Sequence, residues 1–223
     1  MMGSFFNKVL TSAKNIYRWE GSERINLNND AEHMWSVTII ADFLLRIQRD
    51  KFGYEINDLE VLRRALYHDV IEVETGDILS TVKKTTPEMK QMLSNIETLR
   101  FDSNIRPLIP EKYQDEMSEY ILNPKNNLKT IEGQIIAVAD KIDSLLEVIR
   151  EVNKGNKTFV PYLQTESEAL LDLNVECGLY FLKYSLLDFG ISKYKFGNRV
   201  SKFIDLALFE EDENHYLKIK NQY

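Results

Sequence analysis

Chain-breaking residues are scarce in this sequence, and that scarcity constrains the fold more than any other feature. The 223 residues include 9 Gly and 5 Pro, where average usage of roughly 12% gives about 27. Glycine interrupts regular backbone through its freedom, and proline through its fixed φ and missing N–H. With so few of either, the chain must fold from long unbroken segments. Apolar residues recur in them every three to four positions, and no alternating run of any length occurs, so they read as helices. No internal repeat, low-complexity tract or Gly/Ser-rich linker divides the chain. The expectation is one all-α helical bundle spanning 1–223. A chain of this length buries ~70% of its unfolded surface, so its core needs no disulfide or structural metal.

The punctuation that does exist sets the element order. Ser4 is placed to cap a first helix bearing Phe5, Phe6, Val9, Leu10, Ala13, Ile16 and Tyr17. Glu20 to Asp30 is polar and reads as a loop, and a second helix covers 31–49. Asn57 and Glu60 have capping-box spacing and open a third helix reaching about Val73, which Thr75-Gly76-Asp77 breaks. Thr86-Pro87 starts another, since proline's missing N–H costs nothing at the first helical position. Pro110 begins one that Asn123-Pro124 ends. Residues 129–153 form the longest candidate, closed by Gly155. Two or three helices follow Pro161 to about Phe209, and 210–223 is a polar tail expected to fray. Trp35 reads as core. So, mostly, do the aromatics of the last third: Phe159, Tyr162, Tyr180, Phe181, Tyr184, Phe189, Tyr194 and Phe196.

Lys and Arg number 28 against 35 Asp and Glu, a net charge of −7. A duplex-binding surface wants the opposite balance, so a nucleic-acid polymer is not an expected partner. A small phosphorylated ligand remains open, because one Arg or one metal ion can hold it. Cys177 is the only cysteine, which precludes an internal disulfide and fits a reducing compartment. No apolar run approaches the ~18 residues of a membrane span. The first fifteen residues lack the charged and long apolar regions of a signal peptide. The expected protein is cytoplasmic and has no membrane partner. A homodimer is the commonest assembly for such a chain, and some of the C-terminal aromatics are available to cover a second copy.

Only three histidines occur, so their positions carry information. His33 shares a helical stripe with Val37, Ile40 and Leu44, the face a helix buries. An imidazole there must be hydrogen-bonded or bound to something. His68, Asp69 and Glu72 fall on one side of the third helix with Val61 and Ala65, placing three titratable groups on a partly apolar face. The third element is Asp140, in Ala137-Val138-Ala139-Asp140-Lys141-Ile142-Asp143. The main apolar stripe of that helix runs through Ile135, Val138, Ile142, Leu145 and Ile149, and Asp140 lies nearly opposite. Either this helix is buried on two sides, or Asp140, Asp143 and Glu147 form a wet acidic face. His215 lies in the polar tail without an evident partner.

Taken together, His33, His68-Asp69 and Asp140 offer two imidazoles and two carboxylates from three helices. A mixed N/O set suits Mn, Fe, Co, Ni or Zn better than Ca or Mg, which prefer all-oxygen shells. Facing helices of a bundle are a natural cage for such a site. The H…HD…D pattern resembles that of the HD-domain metal phosphohydrolases, and most closely the HD-domain 5'-deoxynucleotidases, which remove phosphate from deoxyribonucleoside 5'-monophosphates. Arg18-Trp19, Glu32-His33, Tyr67-His68-Asp69 with Glu72-Val73, Thr75-Gly76-Asp77 followed by Val82-Lys83, and Ala139-Asp140 all resemble that family's signature. The likeness covers about 15–150 well and the last third loosely.

The resemblance implies one divalent transition metal held by His33, His68, Asp69 and Asp140. It implies Glu72 as the group that orients or deprotonates the attacking water, Arg18 as the phosphate holder, Trp19 as a sugar-pocket wall, and Asp77 beside the sugar and leaving group. Leu79 and Thr81 stand where the family usually has prolines, which bears on sugar and base preference. Each role fits its side chain. Glu72, one turn beyond His68, is at the reach of a general base. Arg18 offers a planar fork for two phosphate oxygens. Trp19 is a rigid wall able to crowd a 2'-hydroxyl, and Lys83 and Lys84 are placed to support the phosphate electrostatically. Two other readings stay open: the same metal site acting on nucleoside triphosphates or cyclic phosphodiesters, and a non-catalytic HD scaffold.

Overall fold

The structure, a computed structural model, describes residues 2–83 and 85–208. The expectations for Lys84, His215 and the tail 210–223 lie outside the described residues. Among those described, the chain is helical, and its one β contact is an isolated bridge between Tyr17 and Asn29. In chain order the helices are α1 (Met2–Ser12), α2 (Asp30–Phe52), α3 (Asp58–Tyr67), α4 (Glu72–Thr75), α5 (Ser80–Lys83), α6 (Pro87–Arg100), α7 (Gln114–Leu122), α8 (Ile131–Asn153), α9 (Val160–Leu173), α10 (Glu176–Tyr184) and α11 (Gly197–Leu208). No described helix is long and apolar enough to cross a membrane.

α8 is the hub, packed against α2, α3, α9 and α10. One core cluster joins Val37, Ala41 and Leu44 of α2, Val61 and Ala65 of α3, and Ile135, Val138, Ile142, Leu145 and Ile149 of α8 to the C-terminal helices. A second gathers Val9 and Ala13 near α1, Met34 of α2, and Val70, Ile71, Phe101 and Ile105. α2 runs through both. His33 sits at their junction, next to Met34 of one cluster and one turn from Val37 of the other.

Helix ends explain most departures from the sequence expectations. α1 begins at Met2, ahead of the expected Ser4 cap, and its Phe6 and Leu10 face solvent while Val9 and Ala13 are buried. Asp30 belongs to α2 rather than the preceding loop, because Asn29 forms a reciprocal capping box with Glu32. The expected box at Asn57 is half made. Asn57 accepts from the Glu60 N–H, but its own N–H donates to Glu132 of α8. α3 stops at Tyr67, short of the expected Val73. The His68 ring takes the Ala65 carbonyl at 2.8 Å, and the following N–H groups of Val70, Glu72, Val73 and Glu74 bond three residues back. This tightened turn carries His68 and Asp69. α7 starts at Gln114 after a 3₁₀ turn at Glu111–Tyr113, later than the expected Pro110.

The assignment of Trp35 to the core was wrong. Trp35, Ile39 and Phe43 form a second apolar stripe on α2, exposed to 66%, 47% and 65%. They lie off the His33, Val37 and Leu44 stripe that the periodicity marks as the buried face, and that stripe is the one that packs. Among the late aromatics, Phe159 and Phe196 are fully buried and Tyr162, Tyr180 and Phe181 partly so, whereas Tyr184, Phe189 and Tyr194 are exposed. Tyr184 lies at the end of α10 against Tyr180, and Tyr194 lies under the Lys193 ammonium.

Candidate active site

The acidic residues of α8 resolve the alternative left open by the sequence: the helix is buried on two sides. Asp143, Glu147 and Glu151 are buried, and the Asp140 side chain is 20% exposed. Each has an assigned task. Glu151 accepts from the backbone N–H groups of Ile25 and Asn26 at 2.8 and 2.7 Å, which pins the loop after Trp19. Glu147 accepts from the Trp19 indole N–H at 2.6 Å, from Arg18 Nε at 3.4 Å, and from the Asn28 amide. Asp143 accepts from His33 Nδ1 at 2.7 Å. Asp140 points one oxygen at His33 and the other at Lys125, whose Nζ is 2.5 Å away.

His33, His68, Asp69 and Asp140 meet. His33 Nε2 is 3.1 Å from His68 Nε2, 3.3 Å from Asp69 Oδ2 and 3.2 Å from Asp140 Oδ1, and His68 Nε2 is 3.2 Å from Asp69 Oδ2. The outer ring nitrogens fix what these atoms are. His33 Nδ1–H donates to Asp143 and His68 Nδ1–H to the Ala65 carbonyl, so each Nε2 presents a lone pair. With both imidazoles neutral, two lone pairs thus face the oxygens of Asp69 and Asp140; without a metal ion, a proton on His33 Nε2 satisfies part of the set. His33, His68 and Asp140 form a candidate His/Asp metal site. Protonation follows the same field. Burial penalises charge on Asp69 and Asp140, yet the imidazoles and, for Asp140, Lys125 hold both well below the usual carboxylate range. Burial and Arg18 disfavour an imidazolium at His33, but its hydrogen bonds to Asp140, Asp143 and Asp69 outweigh them and raise it.

The opposite wall is built differently. Glu72 opens α4 with Oε2 buried and unpartnered, while Lys83 Nζ stands 3.3 Å from Oε1. Burial and the Asp69 charge push Glu72 up to about 9, against the pull of Lys83. Asp30 is 1% exposed with neither oxygen partnered. Burial, then Asp69, push it up to about 7. Gly76 has φ +71° and ψ 170°, a conformation closed to other residues. This bend turns Asp77 back so that its Oδ2 accepts the Trp19 N–H at 3.3 Å.

Trp19 itself has φ +60°, which costs about 1–3 kcal/mol for a non-glycine residue and persists only where the surroundings enforce it. The hydrogen bonds to Asp77 and Glu147 and the edge-on contacts with Phe159 and Tyr162, at 5.4 and 5.3 Å between centroids, do so. Arg18 is 3.5 Å from Asp69 through Nη1 and 3.4 Å from Ser144 through Nη2; burial opposes its charge, but Glu147, Asp69, Asp140 and Asp77 hold it firmly charged. Sequence reasoning missed Lys125 and Asp30, and did not single out Asp143 as the partner of His33. Only the i, i+3, i+7, i+11 spacing of acids on α8 hinted at the last of these.

A family description, 5'-deoxynucleotidase YfbR-like, matches residues 4–189. A 5'-deoxynucleotidase of Vibrio vulnificus is 31% identical over 159 residues, covering 71% of this chain and 80% of that protein. The chain belongs to the YfbR-like 5'-deoxynucleotidase family. It is thereby a phosphoric monoester hydrolase of the HD-domain class. The YfbR 5'-deoxynucleotidase of Escherichia coli is 28% identical over 193 residues, 86% of this chain and 95% of that one. A crystal structure of an HD-domain phosphohydrolase from Listeria innocua superimposes with a TM-score of 0.77 at 30% identity, covering 93% of this chain and 98% of that one. The YfbR-like match continues to residue 189, so α9, α10 and their connections belong to the family fold, beyond the 15–150 stretch on which the sequence likeness was seen.

Proposed function

We propose that this chain hydrolyses deoxyribonucleoside 5'-monophosphates at this site, with His33, His68, Asp69 and Asp140 holding one divalent transition-metal ion (Mn, Co, Fe, Ni or Zn). The observation that carries the reading is the grouping of His33, His68 and Asp140 as one candidate metal site, with Asp69 Oδ2 3.3 Å from His33 Nε2 and 3.2 Å from His68 Nε2. What the bound ion supplies is Lewis acidity toward a phosphate oxygen and a more acidic water. The chain's own groups do the rest. Arg18 presents its guanidinium fork to the phosphate. Glu72 Oε2, buried and free of partners, takes the proton of the attacking water; added positive charge at the cluster lowers its affinity for a proton from the metal-free value of about 9 toward the neutral range. Lys83 holds the other Glu72 oxygen and faces the same phosphate. The water oxygen bonds to phosphorus, the P–O5' bond breaks, the departing O5' takes up a proton from solvent, and phosphate and the nucleoside leave. Asp77 lies beside the sugar and departing oxygen. Trp19, locked on both its nitrogens, is the wall against the 2' position.

The lone, buried Cys177 supports the cytoplasm as the compartment. The exposed stripe Trp35, Ile39 and Phe43 is the surface a homodimer would cover. The test of the reaction is phosphate release from dAMP with Mn or Co, abolished by a chelator and restored by the ion. Equal rates on dAMP and AMP would remove Trp19 as a sugar gate while sparing the reaction. Release of triphosphate from dATP, with no phosphate from any deoxynucleoside monophosphate, would overturn the monophosphatase reading.

A further inference from the structure

We propose that Lys125, which lies in the segment between α7 and α8, binds the substrate phosphate. The proposal rests on the nucleotidase reading above and deepens it. Lys125 Nζ lies 2.5 Å from Asp140 Oδ2, the oxygen turned away from His33. Among the described residues no other acid is within ion-pair distance of it.

The chain goes to unusual lengths to put this ammonium there. Asn126, Asn127 and Leu128 follow it with φ of 43°, 48° and 61°. Consecutive left-handed residues cost roughly 1–2 kcal/mol each, and a leucine has no side-chain polar group to compensate locally. Buried Arg64 of α3 anchors the segment, donating to the carbonyls of Asn123 and Pro124 at 2.8 and 3.2 Å. The Leu128 N–H closes on the Lys125 carbonyl at 2.8 Å, and Gln134 holds the Leu128 carbonyl at 3.0 Å. Gly133 in the first turn of α8 completes the fit, since a Cβ there would lie 2.3 Å from the Lys125 carbonyl oxygen. Strain, a buried arginine and an obligatory glycine thus converge on the placement of one side chain.

Charge accounting says what that side chain is for. Three cations ring the cluster, each on a different acid: Arg18 on Asp69 and Glu147, Lys83 on Glu72, and Lys125 on Asp140. A dication on Asp69 and Asp140 neutralises both carboxylates. Arg18 then keeps Glu147 and Lys83 keeps Glu72, but Lys125 is left without an anion and next to a positive ion. A phosphate dianion on the ion relieves that repulsion. Two-fifths of the Lys125 side chain is accessible, so the ammonium can exchange Asp140 for an incoming oxygen.

The experiment compares wild type, Lys125→Met and Lys125→Arg, each checked for native helicity. Three quantities are measured: Mn affinity without phosphate, the Kd of inorganic phosphate for the Mn-loaded protein by calorimetry, and KM for dAMP. A charge-assisted hydrogen bond of about 1.5–3 kcal/mol corresponds to a ~10–100-fold weaker phosphate Kd and a raised KM in Lys125→Met. Mn affinity should be unchanged or tighter, because a cation competing for Asp140 is gone. Lys125→Arg should recover phosphate affinity to within a few-fold. Unchanged phosphate Kd and KM in Lys125→Met overturns the proposal. So does a loss of Mn affinity that accounts for the whole effect, since Lys125 would then only orient Asp140. A wild-type protein that binds phosphate through Lys125 but releases none from dAMP would refute the nucleotidase reading and leave this one standing.

Discussion

The two walls of the site bury carboxylates to similar depth and treat them in opposite ways. On α8, each acid has at least one oxygen fixed by a strong donor: Asp140 by Lys125, Asp143 by His33, Glu147 by Trp19, Glu151 by two backbone N–H groups. Facing them, Asp30 has no partner on either oxygen, and Glu72, like Asp143 with its free Oδ1, has one free oxygen but only a single lysine at 3.3 Å on the other. The consequence is visible in protonation. Burial alone raises a carboxyl, and partners bring it down. Asp140 lies well below the ordinary range, and Glu151 is lowered too, whereas Glu72 is near 9 and Asp30 near 7. A carboxylate that cannot let go of its charge is suited to holding ligands and loops. One that can exchange a proton near neutrality is suited to chemistry.

The sharpest way to break this comparison is at Glu72. Glu72→Gln keeps the shape and removes the proton acceptor, so turnover on dAMP should fall by ~10²–10⁴-fold while Mn affinity stays within a few-fold of wild type. A variant that keeps full turnover would place the base elsewhere. The partnered wall should respond in the other quantity. Asp143→Asn takes the charge from behind His33, and loss of such an orienting carboxylate costs ~10–100-fold in metal affinity or activity. The expectation is weaker Mn binding with turnover largely recovered at saturating Mn. If turnover stays low at saturation, Asp143 does more than aim the imidazole.

How much of this was legible in the sequence follows from the same contrast. The all-α fold was readable because chain breakers were few and the apolar period was clear. His33 was readable as buried from Val37, Ile40 and Leu44 on its face, and the H…HD…D pattern brought in Asp140 where periodicity alone was silent. Acids hidden by partners were not readable. A stripe of carboxylates on α8 looks the same to a hydropathy pattern whether it meets water or Arg18, Trp19 and the 20–28 loop. Trp35 failed for the converse reason: a tryptophan that nothing pairs with chemistry reads as core, although it lies off the His33, Val37 and Leu44 stripe that α2 buries. Lys125 left no local signal, because its importance lies in Gly133 and Arg64, which reach it from elsewhere in the fold. Asp30 read as loop because the capping box that draws it into α2 begins one residue earlier, at Asn29.

Asp30 also gives the gentlest test of the unpartnered wall. In the unfolded chain its carboxyl has the ordinary value of about 3.9; in the metal-free fold it is raised to about 7. The unfolded state therefore releases this proton first as pH rises. The native state is unpenalised below about pH 4, loses stability progressively as pH rises toward 7, and is fully penalised above that. Asp30→Asn removes the ionisation but keeps a polar group without hydrogen-bond partners in the same buried position, so it recovers only part of the penalty, of order 1 kcal/mol or a few degrees of Tm. In chelator-treated protein the variant should match wild type near pH 4 and melt higher at pH 8. A gain that is the same at both pH values would show that Asp30 is not raised in the fold and is paired after all. A loss at pH 8 would mean its charge is used, which would move Asp30 from the unpartnered wall to the partnered one.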